Sequence, residues 1–184
     1  MEIVEIYKDW LYSIGFDEED LNEYHRVFRE WHDLDYLVGF FSKNKAYVNT
    51  TFWRNAGLDP DNPEQSAQRV IDEADSLEIY IRQLVANCSS GVKPDFDEYF
   101  HFLGGKYKCL WSLEPVKSYG TDSPSLLRLY AIKIGSNCYL IVYGGIKLAD
   151  TIQNSPVLSA TVFRKIDSVL KFLQANGITD SEDI

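Results

Sequence analysis

The sequence has few of the residues that cross-link small proteins or hold metal ions. It contains three cysteines and three histidines in 184 residues, and Cys88, Cys109 and Cys138 lie far apart without a Cys-x-x-Cys spacing. An odd number of scattered cysteines is a poor disulfide framework and a poor zinc site. His25 and His32 are seven residues apart on a predicted helix, farther than the four-residue spacing of a common metal-binding pair. We therefore expect reduced, buried thiols, no metal site and no cofactor.

Long apolar runs and the common catalytic motifs are absent as well. No stretch approaches the roughly 18 apolar residues of a membrane-spanning helix. The acidic first residues do not fit the basic and apolar regions of a secretory signal. The sequence also lacks the glycine-rich motifs that bind dinucleotides or nucleotide phosphates, the HExxH zinc motif and the GxSxG motif of serine hydrolases. We expect a cytoplasmic protein that does not contact membranes.

The composition is that of a folded chain whose charge is unevenly distributed. Hydrophobic residues make up 45% and aromatic residues 14% of the sequence, which excludes a disordered chain, and the length predicts one domain, 1–184. The net charge is −10, yet residues 1–100 carry 21 acidic and 9 basic side chains, whereas residues 101–177 carry 4 and 9. This asymmetry indicates a local anion-binding surface in the second half. Chance clustering of charges within one domain is the alternative.

Hydrophobic periodicity predicts an α+β fold in which a small antiparallel sheet is flanked by helices. The clearest helix begins with Asn62 as its cap and Pro63 in its first turn, and it carries one apolar stripe as far as Cys88. This stripe packs on the sheet, packs on the earlier helices or forms the seam of a homodimer. The other predicted elements are strands at 2–6, 11–16, 108–113, 126–134 and 138–146, helices at 21–31, 35–41, 97–103 and 158–173, and a loop at 44–62.

The basic residues of the second half carry the strongest functional signal. On the predicted strand 126–134, Arg128 and Tyr130 share one face and Lys133 lies on the other. The turn at 135–137 predicts a hairpin to the next strand, which brings Arg128 and Lys147 toward the same end of the sheet. An arginine fork beside a lysine can hold a phosphate and stabilise the negative charge that develops during RNA cleavage. Ordinary strand-end charges in water are the alternative.

Two further groups of residues are candidates for chemistry. Lys106 and Lys108 are two residues apart at the start of a predicted strand, so their side chains point the same way. His101 is a candidate general base, together with a carboxylate such as Asp97 or Glu98. A partly buried, hydrogen-bonded histidine is the alternative interpretation of that position.

The C-terminal part of the sequence arranges these elements in a characteristic order. An arginine-bearing strand at 126–134 is followed by a strand at 138–147 that ends in lysine, a Thr/Gln/Pro turn at 151–156 and a helix. This order resembles the HigB/RelE-like toxins of bacterial toxin–antitoxin pairs over about residues 105–177. The resemblance implies a RelE-like core with a helical insertion at about 50–100. It also implies metal-independent cleavage of ribosome-bound mRNA through the RNA's own 2′-hydroxyl, by a toxin whose site an antitoxin protein covers.

The resemblance further implies a role for each side chain of the site. Arg128 takes the charge of the transition state, and Lys147 binds phosphate or acts as the general acid. Lys108 and Lys133 contact the RNA backbone, and Tyr130 stacks on a base. Lys106 is a further candidate RNA-binding residue. The acidic first half and the apolar stripe support a second hypothesis, a non-catalytic protein-interaction module that keeps the RelE-like fold and binds a basic partner.

Overall fold

The computed structural model describes residues 1–104, 113–149, 151, 154–155 and 158–184, and its fold is α+β, as predicted. Its strands are β1 (Glu2–Tyr7), β2 (Leu11–Gly15), β3 (His101–Phe102), β4 (Glu114–Tyr119), β5 (Leu127–Gly135) and β6 (Cys138–Ile146). They form one six-stranded sheet in the order β1-β2-β6-β5-β4-β3.

The sheet is mixed rather than antiparallel throughout, because the N-terminal hairpin joins it. β1 and β2 are antiparallel to each other, but β2 lies parallel to β6, with Leu11 opposite Tyr139. The other neighbouring strands are antiparallel. The prediction of a purely antiparallel sheet was wrong because residue alternation marks a strand but not the distant strand that it joins. The strand predicted at 108–113 lies outside the described residues, apart from Leu113.

Helices precede, interrupt and follow these strands. Thr50 caps one short helix within the predicted loop 44–62 by accepting a hydrogen bond from the Trp53 backbone N–H, and such short helices show no clear periodicity in the sequence. In the described part of the chain, no helix is both long and apolar enough to cross a bilayer. The helices are α1 (Glu23–His32), α2 (Leu34–Lys43), α3 (Lys45–Val48), α4 (Thr51–Asn55), α5 (Pro63–Ser90), α6 (Phe96–Tyr99) and α7 (Leu158–Ala175), and a 3-10 turn follows at Ser181–Asp183.

Helices cover both faces of the sheet. Alternation along β5 places Leu127 and Leu129 in a core shared with α1, α2 and α5. The alternate residues Tyr130 and Ile132 face the other side of the sheet and lie in a second core shared with α7. The predicted division of this strand into two faces is therefore confirmed.

The helix α5 forms a large part of the first core. Asn62 caps it by accepting a hydrogen bond from the Gln65 backbone N–H at 3.1 Å, and Gly91 ends it in the left-handed conformation, with φ of 65°. The apolar stripe packs against the other helices and the sheet, so this face is not free to form the seam of a dimer. Its fully buried members are Ala67, Val70, Ala74, Leu77, Ile81 and Leu84.

Charged side chains join the two helical layers across one end of the sheet. Glu23 on α1 has no exposed surface, and its carboxylate pairs with Arg26 at 2.6 Å and with Lys165 of α7. Lys165 also contacts Glu19 at 2.8 Å, and Arg26 contacts Glu30 at 2.7 Å. Because a buried carboxylate is strongly unfavourable without partners, this network fixes α1 and α7 relative to each other.

Candidate phosphate-binding site

Arg128 and Lys147 lie together at one end of the sheet. Arg128 on β5 is opposite Gly145 on β6, and the Lys147 backbone N–H donates a hydrogen bond to the Leu126 carbonyl at 2.8 Å. The hairpin therefore has the register that the sequence predicts for these two cations. Both side chains line a cavity of about 160 Å³, whose other walls come from Phe52, Trp53, Pro124, Ser125 and Ala149.

Hydrogen bonds hold the walls of this cavity together. The Trp53 indole N–H of α4 donates to the Leu148 carbonyl at 2.7 Å, which fastens α4 to the segment that carries Lys147. The Arg69 guanidinium of α5 donates to the Ala56 carbonyl at 2.7 Å and to the Pro124 carbonyl at 2.8 Å. The cavity is therefore built by the fold and is not a chance gap between mobile side chains.

The Arg128 guanidinium is oriented by neutral groups. Its side chain is 9% exposed, and Nη1 donates to the Ser125 carbonyl, the Ser125 hydroxyl and the Leu127 carbonyl at 3.1, 3.1 and 2.5 Å. The guanidinium carbon lies 4.3 Å from the centre of the Tyr119 ring. Burial lowers the pKa of Arg128, but an arginine stays protonated in proteins. These hydrogen bonds fix the direction of the guanidinium, and its charge also interacts favourably with the Glu73 carboxylate.

The loop 120–126 forms one lip of the cavity and is supported by α5. The Ser125 hydroxyl accepts hydrogen bonds from the Gly120 and Leu127 backbone N–H groups at 2.9 and 3.1 Å. The buried Glu73 carboxylate accepts a hydrogen bond from the Leu126 backbone N–H at 3.1 Å. Burial raises the pKa of Glu73. The loop conformation that places Ser125 under Arg128 thus depends on a side chain of α5.

Two other predicted site residues lie elsewhere. Lys133 is on the opposite face of β5, five residues from Arg128 and about 17 Å away along the strand. Its ammonium pairs with Asp97 at 2.7 Å. Tyr130 has no exposed surface, so its burial rules out stacking on a nucleobase. The structure therefore brings Arg128 and Lys147 together but separates Lys133 and Tyr130 from them, while Lys106 and Lys108 lie outside the described residues.

The alternative site built on His101 gains no support from the geometry. His101 is exposed on the short strand β3, opposite Lys117. Asp97 is bonded to Lys133 and accepts a hydrogen bond from the Tyr139 hydroxyl at 2.7 Å. Burial alone raises the pKa of Asp97, but these hydrogen bonds outweigh it and lower the pKa. Asp97 is thus engaged in a structural ion pair.

In the part of the chain that the structure covers, no cluster of three or more His, Cys, Asp or Glu side chains is arranged to hold a metal ion.

Sequence reasoning missed the aromatic wall of the cavity. Phe52 and Trp53 lie in the segment 44–62, for which the sequence predicts a loop and no site residue, yet both line the cavity. Thr50 followed by an aromatic pair is a weak signal of a capped turn, and nothing in it indicates which part of the sheet the turn contacts. Ser125 was missed for the same reason, because its role depends on the folded loop.

The comparisons with known proteins give no independent assignment. A scan against protein-family models and searches of curated proteins and of solved structures each found no match to this chain. The likeness to HigB/RelE-like toxins therefore depends on the sequence pattern of residues 105–177 alone.

Proposed function

We propose that the cavity between Arg128 and Lys147 binds a phosphodiester of RNA and that the protein is a toxin-like endoribonuclease. The observation that supports this proposal is that Arg128 on β5 and Lys147, directly after β6, line one concave site held by hydrogen bonds. Arginine presents a planar fork that matches two phosphate oxygens, and lysine adds a compact point charge. A fixed pair of this kind favours a dianionic transition state over a monoanionic ground state.

The chemistry uses the RNA as its own nucleophile. The 2′-hydroxyl oxygen attacks the adjacent phosphorus and gives up its proton to water, and the bond from phosphorus to the 5′ oxygen breaks. The products are a 2′,3′-cyclic phosphate and a 5′-hydroxyl, whose proton comes from the Lys147 ammonium. Arg128 faces the non-bridging oxygens, where negative charge increases in the phosphorane.

Growth and RNA cleavage after induced expression test this proposal. We expect the wild-type protein to arrest growth and to produce new mRNA 5′ ends in primer extension. Lys147→Gln and Arg128→Lys should each reduce cleavage by at least tenfold, because single transition-state contacts contribute a factor of 10² or more. Lys171→Gln, on an exposed position of α7, is the matched control. Unchanged growth and mRNA patterns with the wild-type protein would refute the endoribonuclease proposal.

An exposed acidic patch supports the second candidate function, a protein-interaction module. Leu34 and Ile79 are 47% and 65% exposed, and His32, beside Leu34, bonds to Asp75 at 3.0 Å, which places the two helices side by side. Asp33 and Asp75 are exposed as well, Asp33 next to Leu34 in the sequence and Asp75 one helical turn before Ile79. Such a surface fits a basic, amphipathic partner.

Co-expression with the product of the neighbouring reading frame separates the two candidates. If the interaction module is the function, Ile79→Arg should abolish the complex and Lys147→Gln should leave it intact. If this surface does not bind the partner, the Ile79→Arg variant should co-purify with the partner as well as the wild-type protein does.

A further inference from the structure

Phe52 presents an exposed aromatic ring at the edge of the cation pair. Its side chain is 56% exposed, whereas the adjacent Trp53 is 5% exposed. The centres of the two rings are 5.0 Å apart with an angle of 77° between their planes, an edge contact that anchors the exposed Phe52 ring on the buried Trp53. An exposed aromatic ring that is anchored in this way offers a surface on which a planar group can stack.

The position of this ring relative to the cations is fixed. Trp53, the next residue, is bonded through its indole N–H to the Leu148 carbonyl at 2.7 Å, one residue after Lys147. The α4 turn and the end of β6 therefore hold Phe52 and Lys147 as two walls of the same cavity. Proteins that bind single-stranded nucleic acids use the same combination, a cationic groove beside aromatic side chains on which bases stack.

The size of the cavity determines which part of a nucleotide enters it. A volume of about 160 Å³ is below the 300–1,000 Å³ of pockets that enclose whole small molecules. It accommodates a phosphate group, so the attached base stays outside at the rim. Among the described residues that line the cavity, Phe52 is the exposed aromatic one.

We infer that this site binds one nucleotide of single-stranded RNA, with the phosphate at Arg128 and Lys147 and the base stacked on Phe52. The inference rests on the proposed function and adds that the RNA substrate is single-stranded. In a duplex each base is already stacked between its neighbours and cannot reach Phe52 without unpairing. The site is therefore selective for unpaired RNA, and it tolerates different bases because every base has an aromatic face.

Titrations of the isotope-labelled full-length chain, followed by NMR chemical shifts, test the inference. The probes are inorganic phosphate, ribose 5-phosphate and adenosine 5′-monophosphate. We expect the nucleotide to bind about 5- to 100-fold more tightly than ribose 5-phosphate because of base stacking. Phe52→Ala should remove this gain, so that the nucleotide and ribose 5-phosphate bind equally tightly, and Phe52→Trp should preserve it. Phe102→Ala, which truncates another exposed phenylalanine, should have no effect.

Strand selectivity is measured with a 2′-O-methyl octanucleotide, which cannot be cleaved because its 2′ oxygen is blocked. The single strand should bind at least tenfold more tightly than the same strand in a duplex. Equal affinities for ribose 5-phosphate and the nucleotide, or for single strand and duplex, would overturn the inference and leave the phosphate site in place. Absence of binding by all the phosphate probes would instead overturn the proposed function, so the two failures are distinguishable.

Discussion

Two buried tyrosines on neighbouring strands differ in what their hydroxyl groups contact. Among the residues that the structure describes, the buried Tyr130 hydroxyl has no hydrogen-bond partner, whereas the Tyr139 hydroxyl donates to Asp97 at 2.7 Å. Replacing a buried hydroxyl that makes no hydrogen bond removes a desolvation cost. Removing the donor of a hydrogen bond to a partly buried carboxylate leaves that acceptor less satisfied. The same chemical change should therefore have opposite effects at the two positions.

We predict that Tyr130→Phe leaves the free energy of unfolding unchanged or raises it by up to about 1 kcal/mol. Tyr139→Phe should lower it by about 1.5–3 kcal/mol, because the lost bond is made to a charged group. Urea denaturation of the two variants measures both values. A destabilisation of Tyr130→Phe as large as that of Tyr139→Phe would show that the Tyr130 hydroxyl has a partner in solution.

The ion pair of Asp97 with Lys133 predicts a pH dependence of stability. Because the folded-state pKa of Asp97 lies below its ordinary value of 3.8, its contribution to stability is complete above the unfolded pKa and is lost as the pH falls through the folded pKa. Asp97→Asn should therefore be destabilised at pH 7, and its deficit relative to the wild-type protein should shrink as the pH is lowered below about 4. Thermal unfolding between pH 2.5 and 7 measures the deficit. A difference in stability between the two proteins that stays constant over this range would show that the ionised Asp97 does not stabilise the fold.

At the scale of elements, the contact between α5 and the loop 120–126 decides the shape of the cavity. A Cβ atom on Gly120 would lie 2.0 Å from a Glu73 carboxylate oxygen and 2.8 Å from the Ser125 hydroxyl. No side chain fits there unless the loop moves away from α5. A Cβ on Gly39, inside α2, would have no heavy atom of the described residues within 4 Å apart from its chain neighbours and the backbone of its own helix.

We predict that Gly120→Ala lowers the free energy of unfolding by about 1–3 kcal/mol and weakens phosphate binding, because Ser125 and Arg128 lose their positions. Gly39→Ala is the matched control and should raise stability by about 0.5–1 kcal/mol, since alanine favours a helix interior. Denaturation curves and phosphate titrations of both variants test the argument. If the Gly120→Ala variant is destabilised but binds phosphate normally, the loop 120–126 does not position the phosphate site.

Elements with strong local signals were predictable from the sequence. The helix α5 has a cap, a first-turn proline and a terminal glycine, and the β5–β6 hairpin has a turn whose Asn137 takes a positive φ of 55°. The strand β4 was missed because Pro115 and Lys117 interrupt its alternation. The parallel pairing of β2 with β6 was missed because it depends on residues more than 120 positions apart.

The candidate site was predictable only in part, for the same reason. Arg128 and Lys147 belong to one hairpin, so local register brings them together. Phe52 and Ser125 reach the cavity through α4 and the loop 120–126, which are placed by Trp53, Arg69 and Glu73. Those contacts join distant parts of the chain, and hydrophobic periodicity in the sequence does not predict them.

At the scale of the whole molecule, a net charge of −10 limits how RNA binds. Each cation that contacts a phosphate of a single strand contributes about −0.7 to the slope of log K against log salt concentration. A site with two such contacts predicts a slope of about −1.4. Fluorescence anisotropy with the 2′-O-methyl octanucleotide between 50 and 300 mM salt, roughly the range in which such effects are measured, gives the slope. A slope of −4 or steeper would indicate a broad basic surface instead of a single cavity.

The most direct test of the account is to map where uncleavable RNA contacts the protein. We predict that titration with the 2′-O-methyl octanucleotide shifts the backbone amide signals of Phe52, Arg128 and Lys147 most strongly. The signal of Lys133, on the far end of the same strand, should stay unchanged. Shifts centred on Lys133 or on α5, with the amides around Arg128 and Lys147 unaffected, would contradict the claim that these two cations form the phosphate site.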